Sequence, residues 1–161
     1  LTGTLGKAMG GAIGGYIAGP QPVIDLMRQR ARPYLFSNAL PPAVVAAGLA
    51  AIDLVEAGDA LRARLFENAA YWRAGLAEAG FDLLDGQHPI IPVMLYDADK
   101  AQALAARLFE LGVYVSGFFF PVVPKGRARI RTQMNAALTR EDLDIALAAF
   151  AQAGKDTGVL A

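Results

Sequence analysis

From about residue 59 onward, helix and strand patterns alternate, and this alternation limits the possible folds more than any other feature. Asp59 is suited to cap a helix to about Ala79, an amphipathic pattern predicts a helix over 97–112, and Thr139 is suited to cap a last helix. The strand candidates are residues 81–84, 90–96, 113–115 and 128–132. Strands that alternate with helices predict an α/β or α+β domain.

The first 58 residues have a different pattern. Short apolar runs between glycines over 1–19, with a strand expected at 14–18, predict strands and turns. Prolines are tolerated in the first turn of a helix, so helices are expected from about residue 20 to 30 and over 43–57. Between them, Pro33 is expected to end the first helix and to start a loop or extended segment.

Composition excludes several classes of function. Hydrophobic residues make up 55% of the 161 residues, so a packed core is possible, and the 15 basic and 15 acidic residues balance. A net charge near zero gives no electrostatic signal for nucleic acid or an anionic membrane. The absence of cysteine excludes a disulfide framework, a thiolate nucleophile and thiolate metal ligands, and it is compatible with a reducing cytoplasm.

One lysine, Lys7, stands in a Gly-rich segment with Thr4 three residues before it. In a low-dielectric loop the ammonium would be destabilised, and the neutral amine is the form that attacks an aldehyde to make a Schiff base. The Thr4 hydroxyl can donate to a phosphate, which glycine amides can also approach. A phosphate loop of the nucleotide-binding type is the alternative, but Ala8 replaces its Ser/Thr and Leu1 stands where its first glycine belongs.

The lysine segment resembles the cofactor-binding segment of the α-oxoamine synthases, which are fold-type I pyridoxal-phosphate (PLP) enzymes. Further segments resemble the same family, in the family's order and along the whole chain. The matching segments are Thr4–Gly11, Arg28–Arg30, Arg32–Asn38, Ile90–Leu95, Gly117–Gly126 and Ala128–Met134.

The resemblance implies a role for five residues. Lys7 matches the lysine that binds PLP covalently and later moves the α-proton of the substrate. Thr4 matches a phosphate contact, and Ser37 and Asn38 match a PLP-binding pair that reaches the phosphate of the neighbouring subunit. Arg131 matches the arginine that clamps the amino-acid carboxylate, a role that suits the planar guanidinium fork.

The resemblance also implies the reaction and the architecture. Glycine and acetyl-CoA are the implied substrates of a threonine-catabolism acyltransferase, and the enzyme is expected to be a cytoplasmic homodimer with shared active sites. Residues 1–58 are expected to form the tail of the large PLP-binding domain with an interdomain helix, and residues 59–161 the small C-terminal α/β domain. Since the sequence opens inside a Gly-rich segment, we expect a C-terminal part of a longer chain that is inactive by itself.

Other interpretations remain open at this level. Within the family, 5-aminolevulinate synthase and 8-amino-7-oxononanoate synthase use a different acyl-CoA or amino acid. Outside it, the chain could be a non-catalytic, dimerising α/β module. Lys7 is otherwise an exposed lysine in a glycine turn, Arg131 a surface charge beside Arg127 and Arg129, and His88 a solvated loop residue.

Overall fold

A computed structural model describes residues 1–11 and 13–161, and the chain forms two units, Leu1–Asp59 and Ala60–Ala161. The first unit begins with an antiparallel hairpin in which Thr2 pairs with Ile17 and Thr4 with Gly15. Its elements are β1 (Thr2–Thr4), β2 (Gly15–Ile17), α1 (Gln21–Arg30), α2 (Arg32–Leu35) and α3 (Pro42–Glu56). Each of the three helices carries proline in its first turn. Backbone N–H groups in the first turn form no hydrogen bond within the helix, so the N–H that proline lacks is not needed there.

The strand expected at 14–18 is present as β2, and it pairs with β1. One expectation for this unit needs correction. A loop or extended segment was expected after Pro33, over 34–40, but Tyr34 and Leu35 belong to the short helix α2. Ala31, with φ −72° and ψ 105°, breaks the helical path, and Pro33 then falls in a new first turn instead of ending the old helix.

Helix α3 is apolar on nearly all sides. Gly48 and Ala51 are its buried residues, and a Cβ on Gly48 would lie 3.2 Å from Leu5 Cδ1, so the helix packs closely on the hairpin connection. Leu49 is 60% exposed and Leu54 73% exposed. The first unit therefore leaves a large apolar helix face uncovered by the described residues.

The second unit packs helices on an antiparallel sheet. Its elements are α4 (Asp59–Glu78, which starts at the boundary), β3 (Ile90–Tyr96), α5 (Ala98–Glu110), β4 (Gly117–Phe118), β5 (Ala128–Gln133) and α6 (Arg140–Asp156). The strand order is β3–β5–β4, with Val93 opposite Ile130 and Phe118 opposite Arg129. The mixture of helices and strands predicted for this part of the chain is confirmed.

The core of the second unit lies between the sheet and the helices. Trp72 is 2% exposed and meets Phe150 edge to face at 5.3 Å, and Phe81 also meets Phe150 edge to face, at 5.7 Å. Other buried members are Leu76, Ile91, Val93, Leu104, Leu108, Ile130 and Leu143. Helix α4 buries Trp72 and Leu76, whereas Leu61 at its start is 62% exposed.

Two predicted strands are wrong. Residues 81–84 contribute only an isolated bridge between Leu83 and Val93. Residues 113–115 form no strand, and the short β4 begins two residues later, at Gly117. Short apolar runs of this kind are compatible with strand geometry, but hydrogen-bonded partners elsewhere in the chain decide whether a strand forms.

Side chains cap the starts of α5 and α6, and the cap by Thr139 was predicted. The Asp97 carboxylate accepts a hydrogen bond from Lys100 N at 3.0 Å at the start of α5. At the start of α6, the Thr139 hydroxyl accepts from Asp142 N at 3.1 Å, and the Asp142 carboxylate accepts from Thr139 N at 2.8 Å. This reciprocal capping box satisfies two amides that the helix itself leaves unpaired.

Removing the Thr139 hydroxyl is expected to weaken this cap. Thr139→Ala should lower the free energy of unfolding at pH 7 by about 1 kcal/mol, whereas Thr139→Ser should lower it little. The Thr139 hydroxyl hydrogen bond holds the pKa of Asp142 below its usual value. A carboxyl group whose pKa is lower in the folded state stabilises the fold fully at pH values above its unfolded-state pKa. This stabilisation is lost as the pH falls through the folded-state pKa. Urea unfolding at several pH values should therefore show that the difference in free energy of unfolding between the unchanged protein and Thr139→Ala becomes smaller in acid. A difference that grew in acid would contradict the role of the Thr139–Asp142 hydrogen bond.

Within residues 1–11 and 13–161, no helix combines the length and the apolar character that crossing a membrane requires.

Candidate active site

Lys7 lies on the connection between β1 and β2. Main-chain hydrogen bonds close this connection: Leu5 N donates to Gly14 O at 3.0 Å, Gly11 N to Leu5 O at 2.8 Å, and Gly10 N to Lys7 O at 3.0 Å. Gly10 has a φ of +68°, which glycine adopts without a steric penalty. The glycines predicted to matter here thus allow a tight turn that presents the lysine.

The surroundings of Lys7 differ from the expectation. Its side chain is exposed, and its ammonium has no hydrogen-bond or ion-pair partner among the described residues. The low-dielectric environment that we expected around the amine is therefore not supplied by this part of the chain. The amine is accessible to an aldehyde, which is the geometric requirement for a covalent link.

Thr4 belongs to the same hairpin as Lys7. Its hydroxyl donates to Gly14 O at a long 3.3 Å, and the residue is exposed. A hydroxyl rotates readily and has both a donor and acceptor positions, so this weak bond leaves it able to turn towards a phosphate oxygen. The hairpin thus brings together two of the five predicted site residues.

Ser37 and Asn38 follow helix α2 in the first unit. Both residues are exposed, and neither side chain forms a hydrogen bond within the described chain. A hydroxyl and an amide that are free of internal partners are suited to bind a ligand or a neighbouring molecule. The structure places them next to each other in one segment, as the sequence implies.

Arg131 lies in β5 of the second unit. Residues alternate along this strand, with Ile130 and Thr132 buried and Arg131 exposed on the opposite face. The guanidinium carbon lies 4.5 Å from the centre of the Phe118 ring on the neighbouring strand. This stacking restricts the guanidinium while it leaves the N–H fork available for two parallel hydrogen bonds to a carboxylate.

A cleft of about 360 Å³ adjoins Arg131. Trp72, Leu143 and Phe150 contribute apolar surface to it, and its polar lining includes Ser116, Arg131, Gln133 and Asp142. Sequence reasoning did not identify Ser116 or Gln133 as part of this cleft. The alternation that places Gln133 on the same strand face as Arg131 was a signal for Gln133, whereas nothing local marked Ser116.

A buried polar contact supports the strand behind Arg131. Trp72 Nε1 donates to Thr132 Oγ1 at 2.9 Å, and Thr132 Oγ1 donates to Ile91 O at 2.7 Å. Thr132 is 5% exposed, so both hydrogen bonds are shielded from water. They tie the middle of β5 to β3 and α4 immediately beside the arginine.

The residues of the first unit fit the PLP that the resemblance implies. PLP has an aldehyde and a phosphate. The hairpin offers an accessible primary amine on Lys7, and Thr4, Ser37 and Asn38 offer two hydroxyls and an amide for anionic oxygens. This donor set agrees with both groups of the cofactor.

Comparisons with known proteins identify the family to which the chain belongs. The family model for aminotransferase class I and II matches residues 1–150. The chain is 56% identical over all of its 161 residues to 2-amino-3-ketobutyrate coenzyme A ligase of Escherichia coli K12, and covers 40% of that protein. It is 48% identical over 158 residues, 98% of the chain, to 8-amino-7-oxononanoate synthase of Symbiobacterium thermophilum, and again covers 40%.

A solved structure shows the same fold. Serine palmitoyltransferase from S. paucimobilis, with bound PLP and myriocin, superimposes with a TM-score of 0.91 at 31% identity. The match covers 99% of this chain and 40% of that one. The chain therefore belongs to the aminotransferase class I and II family, and the predicted fold-type I class is confirmed. It spans about 40% of the length of the relatives it matches.

Proposed function

We propose that the chain is part of a PLP-dependent glycine C-acetyltransferase, also called 2-amino-3-ketobutyrate coenzyme A ligase. The observation that carries this proposal is the 56% identity over the whole chain, which includes the Lys7 hairpin and the Arg131 strand. The remainder of the enzyme would contribute groups that these residues lack, such as side chains that bury the Lys7 amine. We further propose that residues 1–58 end the large cofactor domain and that residues 59–161 form the small domain.

The proposed reaction joins the α-carbon of glycine to the acetyl carbon of acetyl-CoA. One Cα–H bond of glycine and the thioester C–S bond break, a Cα–C bond forms, and CoA leaves as the thiol. The products are 2-amino-3-ketobutyrate and CoA, and the same steps in reverse suit threonine breakdown. When bound, PLP supplies an electron sink for the pair left on the glycine α-carbon.

Lys7 has two proposed tasks. Its Nζ holds the cofactor through the aldehyde carbon before glycine enters, and afterwards the freed amine takes a proton from the glycine Cα. Both tasks need a neutral amine, and in the first unit Lys7 lies on an accessible turn that main-chain hydrogen bonds close. Cover from outside the described residues would supply the low dielectric that favours that form.

Thr4, Ser37 and Asn38 are proposed to bind the cofactor phosphate. Ser37 and Asn38 would serve the neighbouring subunit in a homodimer, which agrees with their exposure and with their free polar groups. The uncovered apolar face of α3 is consistent with burial in such a larger assembly. A cytoplasmic location is part of the same proposal.

Arg131 is proposed to clamp the glycine carboxylate through its fork. Arg131→Lys should raise the KM for glycine, with PLP content unchanged, because lysine keeps the charge but loses the second parallel hydrogen bond. The expected loss is about 1.5–3 kcal/mol in kcat/KM for glycine, typical of a hydrogen bond to a charged group. Steady-state kinetics with varied glycine measure it, and Arg73→Lys, at an arginine that donates to Leu84 O, is the control. Unchanged glycine kinetics in Arg131→Lys would place the carboxylate elsewhere.

The function itself is tested by glycine-dependent release of CoA from acetyl-CoA in the full-length enzyme. The 48% identity to 8-amino-7-oxononanoate synthase makes that activity the second candidate. A panel of amino acids and acyl-CoA thioesters separates the candidates, including 5-aminolevulinate synthase. A clear preference for another amino acid or a longer acyl chain would contradict the acetyltransferase assignment, and a colourless protein without transferase activity would favour the non-catalytic module.

A further inference from the structure

Basic residues recur at every second position from the turn before β5 into that strand. They are Lys125, Arg127, Arg129 and Arg131. Elsewhere in the second unit, Arg107 pairs with Glu110 and Asp156, and Arg140 pairs with Glu67. In contrast, none of the four basic residues forms an ion pair within residues 1–11 and 13–161. This row is therefore a concentration of positive charge without internal compensation.

The row lies beside aromatic and apolar surface. Lys125 Nζ lies 5.2 Å from the centre of the Phe120 ring, and Arg131 stacks on Phe118 of the same aromatic run. Phe120 is 58% exposed and the nearby Val122 is 71% exposed. Cationic groups beside exposed rings suit a ligand that combines anionic groups with a flat or apolar part.

An acidic side chain near Arg127 is already engaged in a hydrogen bond. Asp82 accepts a hydrogen bond from the Tyr96 hydroxyl. This hydrogen bond raises the pKa of Tyr96, and the charge of Arg127 opposes the rise, so Arg127 lies near the pair without binding the carboxylate. The guanidinium of Arg127 thus remains available to an external anion.

The proposed reaction has two anionic substrates, the small glycine and the much larger CoA thioester. The glycine carboxylate needs a single cation, which is Arg131. Arg127 lies four residues along the extended chain, about 13 Å away at about 3.3 Å per residue. A CoA thioester carries its phosphates and its adenine ring at the far end of a long pantetheine arm, well removed from the reacting acyl carbon. Cations displaced along the strand from Arg131 match that separation between carboxylate and phosphates.

We propose that Lys125 and Arg127 bind the phosphate groups of the CoA thioester beside the exposed Phe120 ring. This inference rests on the proposed function, and it adds a phosphate-recognition site that is separate from the carboxylate clamp. Lys125 and Arg127 stand two residues apart in sequence and form no ion pair among the described residues. Two such cations attract a multiply charged ligand from solution and strengthen its binding, and both effects weaken with salt.

The test compares two thioesters in the full-length holoenzyme. Acetyl-CoA carries the phosphates and the adenine ring, and S-acetylpantetheine carries neither but presents the same acetyl group. Lys125→Ala and Arg127→Ala should each raise the KM for acetyl-CoA about tenfold, as expected for the loss of one hydrogen bond to a charged group. Neither change should alter kcat/KM for S-acetylpantetheine or the KM for glycine. Added salt should raise the KM for acetyl-CoA less in the variants than in the unchanged enzyme.

Lys155→Ala is the matched control, since Lys155 is an exposed lysine in the last turn of α6, away from the row. It should leave both thioesters unaffected. Arg127→Lys should restore part of the loss, because the charge stays and the fork is lost.

Two results would overturn the inference while the proposed function stands. One is an equal effect of the alanine variants on both thioesters, and the other is an unchanged KM for acetyl-CoA. If the enzyme prefers another acyl-CoA, the same comparison with that thioester and its pantetheine analogue decides the inference, because the phosphates are common to all of them. An enzyme that uses no CoA thioester would remove both the proposed function and this site.

Discussion

Replacement of Lys7 by alanine is expected to abolish turnover in the full-length enzyme. The substitution removes the covalent link to PLP and the amine that moves the glycine α-proton. Loss of a positioned proton-transfer group alone costs about 10²–10⁴-fold, and the lost link adds to this. Glycine-dependent CoA release measures the loss. Residual activity within a few-fold of the unchanged enzyme would mean that another residue carries the chemistry.

A second measurement makes this result independent of turnover. Borohydride reduction in the presence of PLP, followed by peptide mapping, should label Lys7 in the unchanged enzyme and leave Lys7→Ala unlabelled. The variant Lys155→Ala, which changes an exposed lysine near the end of α6, should keep both label and activity. A label on Lys100 or Lys125 would contradict the assignment.

Phe150→Ala is expected to cause the largest loss of stability in the second unit. The ring is fully buried and meets both Trp72 and Phe81 edge to face, so truncation removes two aromatic contacts and leaves a cavity. Such changes cost about 3–5 kcal/mol in the free energy of unfolding. Trp72, the single tryptophan of the sequence, lies against Phe150, so its fluorescence during urea unfolding reports this core directly.

Phe109→Ala is the matched control for this prediction. Phe109 is 68% exposed and makes one edge contact with Tyr114 at 6.4 Å. Its truncation should cost less than about 1 kcal/mol. If the two truncations cost the same, Phe150 is not the centre of the core.

The helices were the part of the fold that sequence predicted best, because their boundaries depend on local chemistry. Prolines start α1 and α3, and the Thr139 side chain caps α6 as expected. The sheet was predicted less well. Residues 81–84 form only the bridge between Leu83 and Val93, and Gly117–Phe118, rather than residues 113–115, pair with β5. Strand pairing depends on partners elsewhere in the chain, which a short apolar run does not specify.

In the candidate site, too, features set by local sequence were predicted, and features set by distant residues were not. The tight turn around Lys7 followed from its glycines, and the exposure of Arg131 followed from strand alternation. The sequence did not predict the exposed environment of Lys7, because any groups that bury this amine must come from outside the hairpin. Ser116 was missed because the cleft that it lines draws on segments that are far apart in sequence.

The connection that carries Lys7 has a practical meaning for protein engineering. Its described residues are held by amide-to-carbonyl bonds between Leu5, Lys7, Gly10, Gly11 and Gly14, and the Leu5 side chain packs against Gly48 of α3. Such a hairpin is a candidate for grafting as a unit, from Thr2 to Ile17, onto another scaffold with a free sheet edge. A designer who wished to install a reactive amine would transplant the glycines together with the lysine, and could vary the remaining side chains to suit a new cofactor or aldehyde.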